Sequence, residues 1–159
     1  GNTINLITMG VLKLGSYDNH ALILKKIFER TLGIIEEYKP DELAIEAQFF
    51  GENVQSMLKL GKAQGVAIAA ALSRSIPFEE YAPKKIKMSI TGKGTSSKEQ
   101  VAGMLVHILK IKNLPEPLDA TDALATAVCH HYQSNSPTGG KKYSGWDSFL
   151  KNNPNKLKT

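Results

Sequence analysis

Three carboxylates are the residues whose type and setting could do hydrolytic chemistry. Glu46 ends the apolar run LAIE, which reads as an interior strand. Burying an unpaired carboxylate is costly or forces it to protonate, so Glu46 needs a cation, hydrogen bonds or water. A satisfied structural glutamate, or a register that turns it to solvent, is as good a reading of Glu46 alone as a catalytic role. Asp119 and Asp122 sit three apart in DATDALATA, a spacing that puts both on one face of a helix. Acids at a helix start are favoured by capping and dipole alone, which is the ordinary reading of an isolated D-x-x-D. Convergence of all three would be different. Such a cluster is hard to hold without a divalent cation, and hard cations such as Mg²⁺ take carboxylate oxygens and water. A site of that kind hydrolyses phosphodiesters by activating a water and stabilising the leaving oxygen. Spacing alone leaves the convergence open.

A second feature is basic. From Ala82 to Lys98 the chain carries Lys84, Lys85, Lys87, Lys93 and Lys98 and no acid. Alone, such a run reads first as a solvated loop, and second as a phosphate-binding surface whose affinity falls with salt. The formal net charge of +5 says less, because residues 134–159 hold five lysines against Asp147 alone. Residues 1–133 are close to neutral. The stretch 134–159, rich in Asn, Ser, Pro, Gly and Lys, is expected to be a flexible basic tail. The histidines offer no rival site: His20 and His107 are isolated, and the adjacent His130 and His131 must point apart on a helix. GKG at 92–94 is a tight turn, not a phosphate-cradling loop. The single Cys129 excludes an internal disulfide framework and a Cys-rich zinc site, and suits a reducing compartment.

The elements that must position these residues are read from periodicity. Residues 3–14 are rich in β-branched and aliphatic types and are expected to form one or two strands. Ser16 or Asp18 offers a cap for an amphipathic helix over 18–38, ended by Lys39-Pro40-Asp41. A strand is expected over 42–47 and a long helix over 53–73, with Gly61, Gly65 and Ala69 forming a smooth stripe. After Pro77 come a strand at 78–82, a short helix at 83–90 and the turn TGKGT. Ser96 with Glu99 reads as a capping box that opens a helix to about 110. Pro115 and Pro117 punctuate a loop before a helix over 118–132. Strands separated by helices of this length argue an α/β fold, a mixed sheet with helices on its faces. At 159 residues the chain suits one domain that buries roughly two-thirds of its unfolded surface. No apolar run reaches the ~20 residues of a membrane span, and no charged-then-apolar leader opens the sequence.

Three stretches together resemble the RuvC family of bacterial crossover junction endodeoxyribonucleases. They are DELAIEAQFFGENVQSMLKLGKAQGVAIAAA (41–71), EYAPKKIKMSITGKGTSSKEQV (80–101) and LDATDALATAVCHH (118–131). The likeness runs in order over about 3–133. It implies a ribonuclease H-like fold, a nuclease domain over 1–133, and a cytoplasmic homodimer that resolves Holliday junctions with Mg²⁺, about two ions per site. It implies that Glu46, Asp119 and Asp122 are metal-binding catalytic acids and that Phe49 stacks on a base where the junction opens, leaving Phe50 to the core. Lys87 and Lys98 would meet DNA near the scissile phosphate. The 53–73 helix would pair across the dimer, and branch-migration proteins of the RuvA and RuvB type would be partners.

One departure qualifies this. The family opens on a strand ending in Ile-Asp-Pro-Gly, whose Asp is a fourth metal ligand, whereas Gly1-Asn2-Thr3 already match the second strand. Asp18 is no substitute at the cap of the first helix. The expectation is a sheet lacking its N-terminal strand, with further residues before Gly1 in the natural protein. Two alternatives follow: a non-catalytic junction-binding module if that aspartate is absent, or a nuclease of the same fold with another substrate.

Overall fold

The computed structural model describes residues 3–48, 51–114 and 119–135, with Asp119 described in its backbone. Its elements run α1 (His20–Tyr38), β1 (Leu43–Glu46), α2 (Val54–Ser73), β2 (Phe78–Tyr81), α3 (Pro83–Thr91), α4 (Lys98–Leu109) and α5 (Asp119–Ser134). The two strands pair in parallel, Leu43 opposite Phe78 and Glu46 opposite Tyr81. Parallel neighbours need a crossover, and α2 supplies it.

Alternation along β1 separates two cores. Leu43 packs with Ile35, Ala71 and Ile76, so one face meets α1 and α2. Ala44 packs against the larger cluster of Tyr81, Ile86, Ile90, Val101, Leu105, Leu109, Leu124, Ala125, Val128 and Cys129. The other face therefore meets α3, α4 and α5. Because strand side chains repeat every second residue, Glu46 shares the Ala44 face and is turned toward α5. Buried Ala120, Thr121, Leu124, Ala125, Val128 and Cys129 form a continuous stripe along α5, the spacing of a helix laid on a sheet.

Most boundaries follow the sequence to within a residue or two, and three expectations are corrected. Residues 3–14 form no strand, although Ile4, Leu6 and Met9 pack against the larger core. Their alternation is that of a strand, but a ladder needs a backbone partner, and none lies beside them among the described residues. Asn19, not Ser16 or Asp18, caps α1, its side chain accepting from Ala21 N at 2.8 Å. The capping box of α4 is Ser97 with Gln100, one residue beyond Ser96 and Glu99, with Ser97 accepting from Gln100 N at 3.1 Å. Ser96 is instead buried and bonded to Thr91, Oγ to Oγ1 at 2.6 Å. A buried hydroxyl committed to that partner cannot serve the helix end. Phe49, Phe50, the 115–118 loop and residues 136–159 of the expected tail lie outside the described residues.

Candidate active site

Glu46 stands half-buried at the carboxyl end of β1, where strand pairing holds it firmly. Ala47 N donates to Tyr81 O at 2.9 Å. Gln64 Nε2, from the middle of α2, donates to Glu46 O at 2.8 Å. The backbone is thus pinned from the sheet and from the helix behind it. Sequence reasoning saw the small-residue stripe of this helix and missed Gln64. The signal was present: a lone amide between apolar and small residues on a helix facing the sheet needs a partner.

The charged groups converge around that carboxylate. Burial raises the Glu46 pKa above 4.5, and the negative charge of Asp122 raises it further, while Lys98 and Lys87 pull it down. The four residues come from four elements, β1, α5, α4 and α3. Lys98 Nζ donates to Asp122 Oδ2 at 3.0 Å. The capping box fixes where α4 begins and hence where Lys98, its first residue, stands. Asp119 occupies the first position of α5, on the Asp122 face of the helix, and its side chain is outside the described residues. Among the described residues no three acids, histidines or cysteines form a ready metal cluster.

A tight hinge links the two lysines. Gly92 ends α3 in the left-handed region, φ 76°, which glycine adopts without strain. Thr91 Oγ1 donates to Lys87 O at 2.8 Å and meets Ser96 Oγ. Gly94 lies against Lys84, whose Cγ would stand 2.6 Å from an added Cβ. Lys85 Nζ lies 5.1 Å from the centre of the Tyr81 ring. The five-lysine run is therefore not a loose loop: most of it is the helix α3 and the compact turn after it.

Carboxylate oxygens are the ligands a hard divalent cation favours, and Glu46, partly desolvated and within the field of Asp122, would gain from one. The residues present fit such an ion. The lysines extend the positive field outward, as a phosphate backbone would require.

The histidines do point apart. The Asn135 amide donates to the His131 carbonyl, whereas the His130 ring is bonded to Tyr81 and Glu42.

Comparison with known proteins identifies the family. The family model described as Crossover junction endodeoxyribonuclease RuvC matches residues 1–130. A protein of that name from Christiangramia forsetii is 60% identical over 155 residues, 98% of this chain and 81% of the relative. One from Cytophaga hutchinsonii is 59% identical over 159 residues, 100% of this chain and 78% of the relative. The solved structure of Thermus thermophilus RuvC in complex with Holliday junction substrate superposes with a TM-score of 0.79 at 30% identity, covering 83% of this chain and 80% of that one.

Proposed function

The chain belongs to the RuvC family of crossover junction endodeoxyribonucleases, and from that premise we propose that it resolves four-way DNA junctions by paired, symmetric, metal-dependent nicks. The observation that supports the reading is that the charges of Asp122, Lys98 and Lys87, carried on three other elements, all act on the half-buried Glu46.

Glu46, Asp119 and Asp122 would hold Mg²⁺. When bound, the cation supplies a nucleophilic water at neutral pH and charge stabilisation for the leaving oxygen. The protein's own residues do the rest. Gln64 holds the Glu46 carbonyl and the Tyr81 carbonyl holds the amide that follows it, Lys98 pairs with Asp122, and Lys87 and Lys98 would receive the phosphate flanking the cut. Phe49, three residues past Glu46, is proposed to stack on a base opened at the junction, a contact that tolerates any sequence.

A homodimer through α2 is supported by its outward seam. Val54, Leu58 and Leu72 are exposed apolar side chains, and a Cβ at Gly61 or Gly65 would meet nothing within 4 Å. Val54, Leu58, Gly61 and Gly65 follow at steps of four, three and four, and Leu72 lies seven further on, a spacing that suits a seam for a second helix. A two-fold axis through it would place two sites for the symmetric strands of a junction. Association with branch-migration proteins and a cytoplasmic setting are part of the same proposal. No helix among the described residues is long and apolar enough to cross a membrane.

The decisive experiment is Glu46→Gln in the full-length protein, assayed on a four-way junction against linear duplex. Loss of nicking with retained junction binding supports the reading. Undiminished nicking refutes it, and equal cutting of duplex points to another substrate.

A further inference from the structure

Tyr81, His130 and Glu42 form a hydrogen-bonded chain that the reaction above does not use. Tyr81 Oη lies 2.7 Å from His130 Nδ1, and His130 Nε2 bonds Glu42 Oε2. The three belong to β2, to α5 and to the residue preceding β1. The histidine ring lies tilted against the tyrosine, with centres 5.7 Å apart, and its side chain is only 15% exposed. One protonation pattern satisfies every group. A carboxylate can only accept, so Nε2 carries a proton, and in the singly protonated ring Nδ1 accepts from the Tyr81 hydroxyl. Burial, aided by Glu79, Cys129 and Glu42, pushes the Tyr81 pKa up to about 12, so its hydroxyl stays a donor.

The placement of this chain matters more than its strength. His130 lies eight residues beyond Asp122, about 12 Å along α5. Glu42 lies four residues before Glu46, about 13 Å back along the strand. The chain therefore ties α5 to β1 at the end away from the acids. At the acid end the negative charge of Asp122 disfavours ionised Glu46, a repulsion that pushes helix and strand apart. Tyr81 also reaches that end directly, because it is the register partner of Glu46 and its carbonyl accepts from Ala47 N. A clasp at one end, linked through Tyr81 to the backbone at the other, resists the splaying.

We propose that His130 is a positioning residue: through Glu42 and Tyr81 it sets the spacing and rotation of α5 against β1, and so keeps the acids of both within reach of one cation. The proposal rests on the metal-site reading of Glu46 and Asp122. The apolar stripe selects the face of α5 that meets the sheet, and hydrogen bonds of fixed direction narrow its spacing and rotation further.

The test uses the full-length protein and reads metal binding apart from turnover. Mn²⁺ is titrated calorimetrically into DNA-free protein, and Mg²⁺ half-saturation and junction KM are measured in parallel. His130→Phe is expected to weaken Mn²⁺ binding roughly 10–100-fold, the usual effect of losing a group that orients metal ligands. Mg²⁺ half-saturation should rise by a similar factor with junction KM unchanged. His130→Gln, whose amide can donate to Glu42 and accept from Tyr81, should restore most of the affinity. Leu109→Ala, in the α4 part of the core, lowers the Tm and should leave Mn²⁺ binding alone. Parental Mn²⁺ binding in His130→Phe, an equal shift in Leu109→Ala, or no recovery in His130→Gln each overturns the proposal. If Glu46→Gln binds Mn²⁺ and cleaves like the parent, the metal-site reading itself has failed and the inference falls with it.

Discussion

Replacing Lys98 by Met separates what this residue does for the fold from what it does for the reaction. In the fold it makes an ion pair with Asp122 at 3.0 Å, with side chains 58% and 43% exposed. A pair that open to solvent contributes at most ~1 kcal/mol after screening and side-chain entropy. For a chain of this size that corresponds to a Tm loss of no more than about 4 °C. Methionine keeps most of the aliphatic stem, so little packing is lost. The reaction should suffer far more. A single fixed charge aimed at a developing oxyanion is worth ~10²–10³ in kcat. As one phosphate contact disappears, the salt slope of junction binding should shrink by about 1. Lys98 also lowers the Glu46 pKa, so its loss should move the acid limb of the pH–rate profile to higher pH. Calorimetry, a salt titration of junction binding and single-turnover cleavage measure all of this on one protein. A Tm fall beyond ~10 °C would mean the pair is structural and the exposure argument wrong. A near-parental Tm with unchanged cleavage and salt slope would remove Lys98 from the DNA interface.

Two further outcomes are expected. Because burial and Asp122 raise the Glu46 pKa above 4.5 in the fold, its stabilising contribution is complete below that value and is lost as the pH rises through the folded pKa. Glu46→Gln, assayed in a chelator, should therefore melt higher than the parent at neutral pH, with the difference vanishing near pH 4; a lower Tm at neutral pH contradicts it. Gly94→Ala places a Cβ 2.6 Å from Lys84 Cγ, and a crowded contact costs about 1–3 kcal/mol against the ~0.4–1 kcal/mol gained by replacing glycine. Its Tm should fall by a few degrees and its cleavage should weaken through the displaced hinge, and a stabilised variant would show that Lys84 yields freely.

The sequence carried the elements better than it carried their ends. Apolar periodicity placed α1, a capping signal placed α4, and the prolines at 115 and 117 marked the approach to α5, while Pro77 and Gly92 marked real breaks. What local pattern could not decide was any choice settled by a distant partner. Ser96 and Ser97 are chemically equal candidates for a cap. Ser97 serves because Ser96 is claimed by Thr91 across the turn. Asn19 beats Asp18 by one residue, the difference between a side chain that reaches Ala21 N and one that does not. Residues 3–14 show the same limit most plainly. Their alternation is written in the chain, and Ile4 and Leu6 do face the core. Hydrogen-bond pairing belongs to two segments and cannot be read from one.

The site follows the same rule in a sharper form. Glu46 was legible as an anomaly, an acid in an apolar strand, and D-x-x-D was legible as one helix face. Neither showed that the two share a field, because β1 and α5 are far apart in sequence and meet only through parity: Glu46 shares its face with Ala44, and that face is covered by α5. The neighbours that keep the arrangement intact were the least legible of all. Gln64, Tyr81 and His130 carry no motif, and their partners lie 18 and 49 residues away. A cluster of like charges has to be held together by its surroundings, since its own interactions push it apart. The residues that do so are polar groups inside packed faces, each of which would be costly without its partner. A polar side chain at a position that periodicity assigns to the interior is therefore the sequence signal for such a support, and Gln64 fits it.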